Sequence, residues 1–387
     1  MNNFTETEER QALRKAVYDF GSKYGHEYYL KVAREGGHTT EVWDEAGKLG
    51  YMGVAVPEEY GGGGGGIGDL AAVCEELCAA GTPLLLMVVS PAICGTVIAR
   101  YGTDEQKQHW LPRFATGELR MAFAITEPDA GSNSHKITTT ARQDGDDWVL
   151  NGQKVFISGV DEAEAVLVVG RTEDARTGKL KPALFIVPTD APGFEAQHIP
   201  MDIVSADKQF TLFFDNLRLP KNALVGESTD TALLQLFAGL NPERIMGAAF
   251  SLGLARLALN KATEYAKTRN VWGAPIGSHQ GIAHPLAQIK VEIELAKLMT
   301  QKAAALYEAG DDMGAGEAAN MAKYAAAEAA VHAVDQAVHT HGGNGLATEY
   351  GLGAMIAAVR VGRIAPVSRE MILNFVAQHS LDLPKSY

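Results

Sequence analysis

Cysteine is scarce in this sequence: Cys74, Cys78 and Cys94 are the only three in 387 residues. An odd and sparse count excludes a disulfide scaffold. Cys74 and Cys78 stand four apart in "AAVCEELCAA", on an expected helix, with no further ligands at metal-site spacing, and read as core packing. Basic charge is also short. Lys and Arg number 34 against 47 Asp and Glu, a formal net charge of −13. That excludes nucleic acid as the main partner, because phosphate backbones demand clustered cations. A small anionic ligand, which needs only a local basic group, stays open. No apolar run reaches the roughly 18 residues of a membrane span. The opening "MNNFTETEER" is polar and acidic, unlike a secretory signal or an Arg-rich transit peptide, and cytoplasmic residence is the expectation. Neither a Walker A loop nor a G-x-S-x-G elbow occurs.

The hydrophobic content of 46% is enough for two or three packed units, and periodicity divides the chain into three zones. Residues 1–120 read as a helical domain. "TETEERQALRKAVYDF" places Leu13, Val17 and Phe20 at helical spacing, and "TTEVWDEAGKLGYMG" and "GDLAAVCEELCAAG" are further helices ending near glycine. Between these last two lies Gly61–Gly66. These six glycines formally satisfy G-x-G-x-x-G, but they follow "VPEEY" rather than a buried strand, and read as a flexible loop. Residues 121–235 read as strands. "DWVLNGQKVFIS" carries Asn151-Gly152 between β-rich arms, the signature of a two-residue hairpin. "AEAVLVVGRT", "PALFIVPTD" and "KQFTLFFDNLRLP" follow, with no helical pattern between them, so an antiparallel, barrel-like domain is expected. From 236 to 387 long Ala-rich helices return, suggesting an up-down four-helix bundle. The fold class is therefore mostly α with a central β domain.

Three stretches could carry chemistry. In "MAFAITEPDAGSN", at the first junction, Thr126, Ser132 and the Gly131 backbone can donate to a flat heterocycle or a phosphate, although an ordinary polar turn would look the same. In "TRNVWGAPIGSHQ", Arg269 can pair with a pyrophosphate and Trp272 can cover a ring face. In "HTHGGNGLATEY", Gly342, Gly343 and Gly345 allow close backbone approach. Of His332, His339 and His341 only the last two are close, no acidic partner is arranged with them, and a metal site is not expected.

Together, in this order and spacing, these three motifs resemble the acyl-CoA dehydrogenase family over essentially the whole chain. The resemblance implies FAD as cofactor and conversion of a saturated acyl-CoA thioester to the trans-2-enoyl form. It further implies an electron-transfer flavoprotein as acceptor and a homotetramer in which each flavin touches a neighbouring subunit. Carried over position by position, it assigns Phe123, Ile125, Thr126, Gly131 and Ser132 to the flavin. Phe156 and Ser158 of "KVFIS" match the aromatic that covers the flavin, often Trp, and the hydroxyl near its N5. Arg269, Trp272 and Gln280 match the pyrophosphate and adenine contacts made from a second subunit. Gly342 and Gly343 match the adenosine end, and His339 falls where many members carry Gln. Ser132, Asn241 and Arg244 are implied on the acyl-CoA side.

The reaction also needs a base for the weakly acidic α C–H, and a desolvated carboxylate is suited to it. Most members place that Glu about 16 residues after "TEY", two residues before a Thr. Here Pro366 occupies the Glu position and Ser368 the Thr position, while Glu370 lies one helical turn beyond. A minority of the family, of the isovaleryl and long-chain type, places a Glu-Arg pair 26 residues before the Arg of R-x-x-x-G. Glu243-Arg244 in "FAGLNPERIMGAAF" stands at that separation from Arg269. Read without the resemblance, Asn241 would be an N-cap, Pro242 the first helical residue, and Glu243 an ordinary first-turn acid. With it, Glu243 is the expected base. Two other readings remain at this point: a flavin oxidase or monooxygenase of the same fold, and, because of Pro366, a silent partner subunit of a hetero-oligomeric dehydrogenase.

Overall fold

A computed structural model describes residues 6–174 and 177–385. The first five residues, part of the polar opening, lie outside the described residues. The chain begins with α1 (Glu8–Arg34), capped by Thr7, whose hydroxyl accepts from the Arg10 N–H at 3.2 Å, and kinked at Gly25 (φ 72°). α2 (Thr40–Lys48) follows, then α3 (Ile67–Ala80), closed by Gly81 in the left-handed conformation. α3 is buried along nearly its whole length, between α1 and the long C-terminal helices. Even its acids are inside: Glu75 and Glu76 are held by Arg14 of α1 and by Arg256 of a long helix in the C-terminal zone at 2.7–2.9 Å. Cys74 and Cys78 are free thiols packed in this core.

The six-glycine loop is not loose. Gly63 and Gly65 donate to the carbonyls of Gly53 and Val54, and Gly64 to that of Val56, at 2.9–3.0 Å. A Cβ on Gly62 would stand 2.1 Å from the Val56 carbonyl oxygen. Glycine is needed here for close packing of backbone on backbone. Next come α4 (Leu86–Val89), a π-helical turn over Ser90–Gly95, α5 (Thr96–Tyr101) and α6 (Asp104–Ala115).

The middle zone forms a seven-stranded sheet from β1 (Met121–Ala124), β2 (Thr140–Asp144), β3 (Asp147–Ser158), β4 (Ala165–Glu173), β5 (Leu180–Pro188), β6 (Phe194–Ile199) and β7 (Gln209–Leu219). The order is β1-β4-β2-β3-β7-β6, with β5 also paired to β4. It is mixed rather than wholly antiparallel, since β1 and β2 both run parallel to β4. The Asn151-Gly152 hairpin is also corrected: the β2–β3 turn is at Gly145-Asp146, and Asn151-Gly152 lies inside β3, opposite a bulge of β7 in which Asp215 and Asn216 together stand against Asn151. There the Asn151 side chain accepts from the Asn216 N–H at 2.9 Å. A Cβ on Gly152 would meet Thr139 Oγ1 at 2.4 Å. The unusual backbone of the bulge is carried by Asn216, at φ 46°, while Gly152 is needed for the close approach of Thr139.

α7 (Ala232–Thr268) runs 37 residues, ten more than the apolar pattern beginning at Pro242 suggests. A two-residue hairpin, β8 (Asn270–Val271) and β9 (Ala274–Pro275), leads to α8 (Gln280–Glu308) and α9 (Asp312–His341). These three long helices pack on one another, and α3 lies against α7. In place of one long fourth helix, the chain continues as α10 (Leu352–Ala358), α11 (Val361–Ile364) and α12 (Arg369–Phe375).

Candidate active site

Sequence separates the first motif from "KVFIS"; the sheet joins them. Residues 127–130 close a tight turn in which Glu127 and Ala130 exchange both backbone hydrogen bonds, at 3.1 and 3.2 Å, with Pro128 between them. The Val155 N–H donates to the Thr126 carbonyl at 3.0 Å. Below them lies a buried ion pair. Lys154, 0% exposed, donates to Glu127 Oε1 and to the Ile125 carbonyl, both at 2.9 Å. Glu127 also accepts from the N–H groups of Thr138 and Thr139. Burial opposes its ionisation, but Lys154 and these donors outweigh that and hold the carboxyl down to about 2. Burial pushes Lys154 down to about 8.

Above this pair, a register shift between Lys154 and Ile157 throws Phe156 outward, 58% exposed and at φ +58°. A bulky residue in left-handed backbone is strained, and such strain concentrates at functional sites. Ser158 exchanges hydrogen bonds with Gln209 at 2.9–3.1 Å. Phe123, Ile125 and Thr126 are half-buried, while Gly131 and Ser132 are exposed. The backbone pairing of Thr126 with Val155 therefore brings the first motif beside Phe156.

Glu243 lies on α7. It is not in a first turn: the helix starts at Ala232, and Asn241 and Pro242 are interior and buried. Asn241 is therefore no N-cap. Its amide donates to the Asp312 carbonyl at 3.0 Å, joining α7 to the start of α9. Arg244 bends back along its own helix, with Nη1 donating to the Leu240 carbonyl at 3.2 Å and to Asn241 Oδ1 at 3.4 Å. Burial pushes the Glu243 carboxyl up to about 7, and the positive charges of Arg244 and Lys323 oppose that only in part. Cys94, on the π-helical turn, is close enough for Glu243 to raise its thiol further beyond what burial does.

Pro366 reaches the same helix. A Cβ on Gly247, one turn beyond Glu243, would lie 3.6 Å from Pro366 Cδ. The Ala365–Pro366 peptide is cis. Lys323 of α9 donates to the neighbouring Val367 carbonyl, and Ser368 caps α12, its hydroxyl accepting from the Met371 N–H at 3.3 Å. Pro366 thus packs against α7 one turn from Glu243, and of the two places where this sequence pattern could put a base only one holds an acid.

The remaining motif residues lie at the far end of α7. Arg269 and Gln280 are exposed, and Trp272 stands at φ +53° in the β8–β9 turn, 91% exposed. Gly342 and Gly343 end α9, with nothing within 4 Å of a Cβ added to either. His339 is exposed, whereas His341 is buried and stacked on Tyr265 at 4.1 Å, so the two point apart. His332 pairs with Glu292 at 2.8 Å. The sequence reading missed Lys323 and the Glu127–Lys154 pair. The one available signal for Lys323 was a lone cation inside an Ala-rich helix.

Comparison with known proteins agrees over the whole length. Residues 7–118, 122–217 and 234–381 match the N-terminal, middle and C-terminal domains of acyl-CoA dehydrogenase, respectively. The chain belongs to the acyl-CoA dehydrogenase family. It is 67% identical over 385 residues to acyl-CoA dehydrogenase FadE12 of Mycobacterium tuberculosis, covering 100% of this chain and 99% of that protein. A glutaryl-coenzyme A dehydrogenase solved with glutaryl-CoA superposes with a TM-score of 0.92 at 30% identity, over 99% of this chain and 98% of that one. A glutaryl-CoA dehydrogenase from Mycobacterium smegmatis, solved with FADH2, gives 0.89 at 27% identity, over 99% and 96%.

This acyl-CoA dehydrogenase is accordingly an FAD-dependent oxidoreductase acting on an acyl-CoA. The residues present suit the cofactor: an outward aromatic, a polar turn with an open glycine, and unobstructed glycines at the end of α9. No helix among the described residues is long and apolar enough to cross a membrane.

Proposed function

We propose that this dehydrogenase converts a saturated acyl-CoA to its trans-2-enoyl form, with Glu243 removing the proton from the carbon next to the thioester. Bound FAD supplies the hydride acceptor for the β carbon. The observation that carries the reading is the pairing of Glu243 and Pro366 against one stretch of α7, with the acid's carboxyl raised to about 7. Desolvation that raises a carboxylate's proton affinity also raises its strength as a base near neutral pH. Phe123, Ile125, Thr126, Gly131, Ser132, Phe156 and Ser158 form the flavin face in this reading, with Ser368 contributing from the start of α12. Ser132, Asn241 and Arg244 orient the thioester end, Asn241 and Arg244 by setting the position of the Glu243 turn.

Arg269, Trp272 and Gln280 belong to a neighbouring copy's flavin, together with His339, Gly342 and Gly343. At 1.5 Å per residue, the 26 residues between Glu243 and Arg269 span roughly 39 Å of helix, too far for one chain to bring both to one cofactor. A homotetramer satisfies this requirement, with an electron-transfer flavoprotein as acceptor in cytoplasmic fatty-acid metabolism. Glu243→Gln tests the base. The variant is expected to bind FAD normally and to lose anaerobic bleaching of the flavin by every member of an acyl-CoA panel. Bleaching at the wild-type rate would sink the assignment.

A further inference from the structure

Two lysines are fully buried among the described residues, and their surroundings differ. Lys154 meets Glu127 directly. Lys323, 2% exposed on α9, forms no direct ion pair; its Nζ donates to the Val367 carbonyl, beside Pro366. Burying an ammonium without a counter-ion in contact is costly. A hydrogen bond to one carbonyl could be made by a neutral side chain, so the charge itself requires an explanation.

We infer that Lys323 is a positioning residue for Glu243: its ammonium holds the 365–368 segment against α7 and supplies the positive charge that faces the carboxylate across the α7–α9 seam. The inference rests on Glu243 being the base. Three observations converge on it. Val367 adjoins Pro366, and Pro366 packs at Gly247, one turn from Glu243. Arg244, the other cation near the carboxylate, directs Nη1 to its own helix, leaving Lys323 as the cation contributed by a different element. The influence is also mutual. Lys323 draws the Glu243 carboxyl down against burial, while burial and Arg244 push the lysine to about 8, opposed by Glu243, Glu370 and Glu328. The Cys94 thiol, on the π-helical turn, is kept neutral by burial first and then by the charge of Glu243.

Lys323→Met, Lys323→Gln and Lys323→Arg separate charge from hydrogen bonding. Each variant is titrated by infrared difference spectroscopy against the same protein also carrying Glu243→Gln, so that the Glu243 carboxyl band is read directly, with or without turnover. The pH profile of anaerobic bleaching is recorded beside it. Removing the charge, in Met and Gln alike, is expected to raise the midpoint by about one pH unit and slow bleaching at pH 6 about tenfold, with recovery at alkaline pH. Arg is expected to keep the wild-type midpoint. Unmoved midpoints in Met and Gln, with only thermal stability lowered, would reduce Lys323 to a structural pin and overturn the inference. If the Met variant does not fold, Gln, which retains a donor for Val367, carries the test. Bleaching that survives Glu243→Gln would refute the base instead, while the infrared midpoint would still report on Lys323.

Discussion

At the scale of single residues, direct contact decides how a buried carboxylate titrates. Glu243 and Glu127 are both carboxylates close to a lysine, yet one is pushed up to about 7 and the other down to about 2. The difference is direct contact: Glu127 has a lysine and backbone N–H groups at hydrogen-bond distance, whereas Glu243 receives only through-space attraction. The pH consequences have opposite signs. Folding favours the protonated form of Glu243, so stability from this group is full below its ordinary value of 4.5 and lost as pH rises through about 7. Glu243→Gln should therefore raise the melting temperature at pH 8 and leave it unchanged near pH 4. The wild-type bleaching rate should fall about tenfold per pH unit below 7. Glu127 favours the ionised form, so its contribution is present at neutral pH and lost as pH falls through about 2. Lys154→Met, which leaves that acid buried alone, should cost about 3–5 kcal/mol in denaturant unfolding. Adding Glu127→Gln should restore much of the loss.

At the scale of elements, backbone fit rather than side-chain pattern sets the surprises. The six glycines look like slack in the sequence, but Gly62–Gly65 are packed against or hydrogen-bonded to residues 53–56. Gly62→Ala should thus destabilise by about 1–3 kcal/mol through overpacking, measured by thermal or denaturant unfolding. The same limit explains what the sequence concealed elsewhere. Asn151-Gly152 satisfies the local rule for a turn, and only the pairing of β3 with β2 and β7 and the contact at Thr139 show that the strand runs on through it, opposite a bulge of β7. Pro242 resembles a helix start because proline commonly opens helices; packing carries α7 through it back to Ala232. Where the apolar period was long, as in α8, α9, β4, β5 and β7, sequence alone located the elements. Motif spacing brought Glu243 to attention. Lys323, Glu127 and Lys154 carried no such spacing, since their partners are set by tertiary contacts between distant segments.

At the scale of the whole molecule, a single described chain presents more apolar surface than its own fold requires. Trp272 is 91% exposed, and Val291, Leu295 and Leu298 form an outward stripe on α8 at 50–62%. Neighbouring copies covering these surfaces would explain both. Trp272→Ala should accordingly leave the folded subunit's secondary structure intact, as read by circular dichroism, while weakening FAD retention measured by equilibrium dialysis. Retention at the wild-type level would argue against a flavin contact for Trp272.

The length of α7 has a genetic corollary. Its opposite ends serve different catalytic centres if neighbouring chains share their flavins, so lesions at the two ends fall in separate places. Chains carrying Arg269→Ala and chains carrying Glu243→Gln, each inactive alone, would complement when co-assembled: some centres in the mixed oligomer would receive an intact residue from each parent.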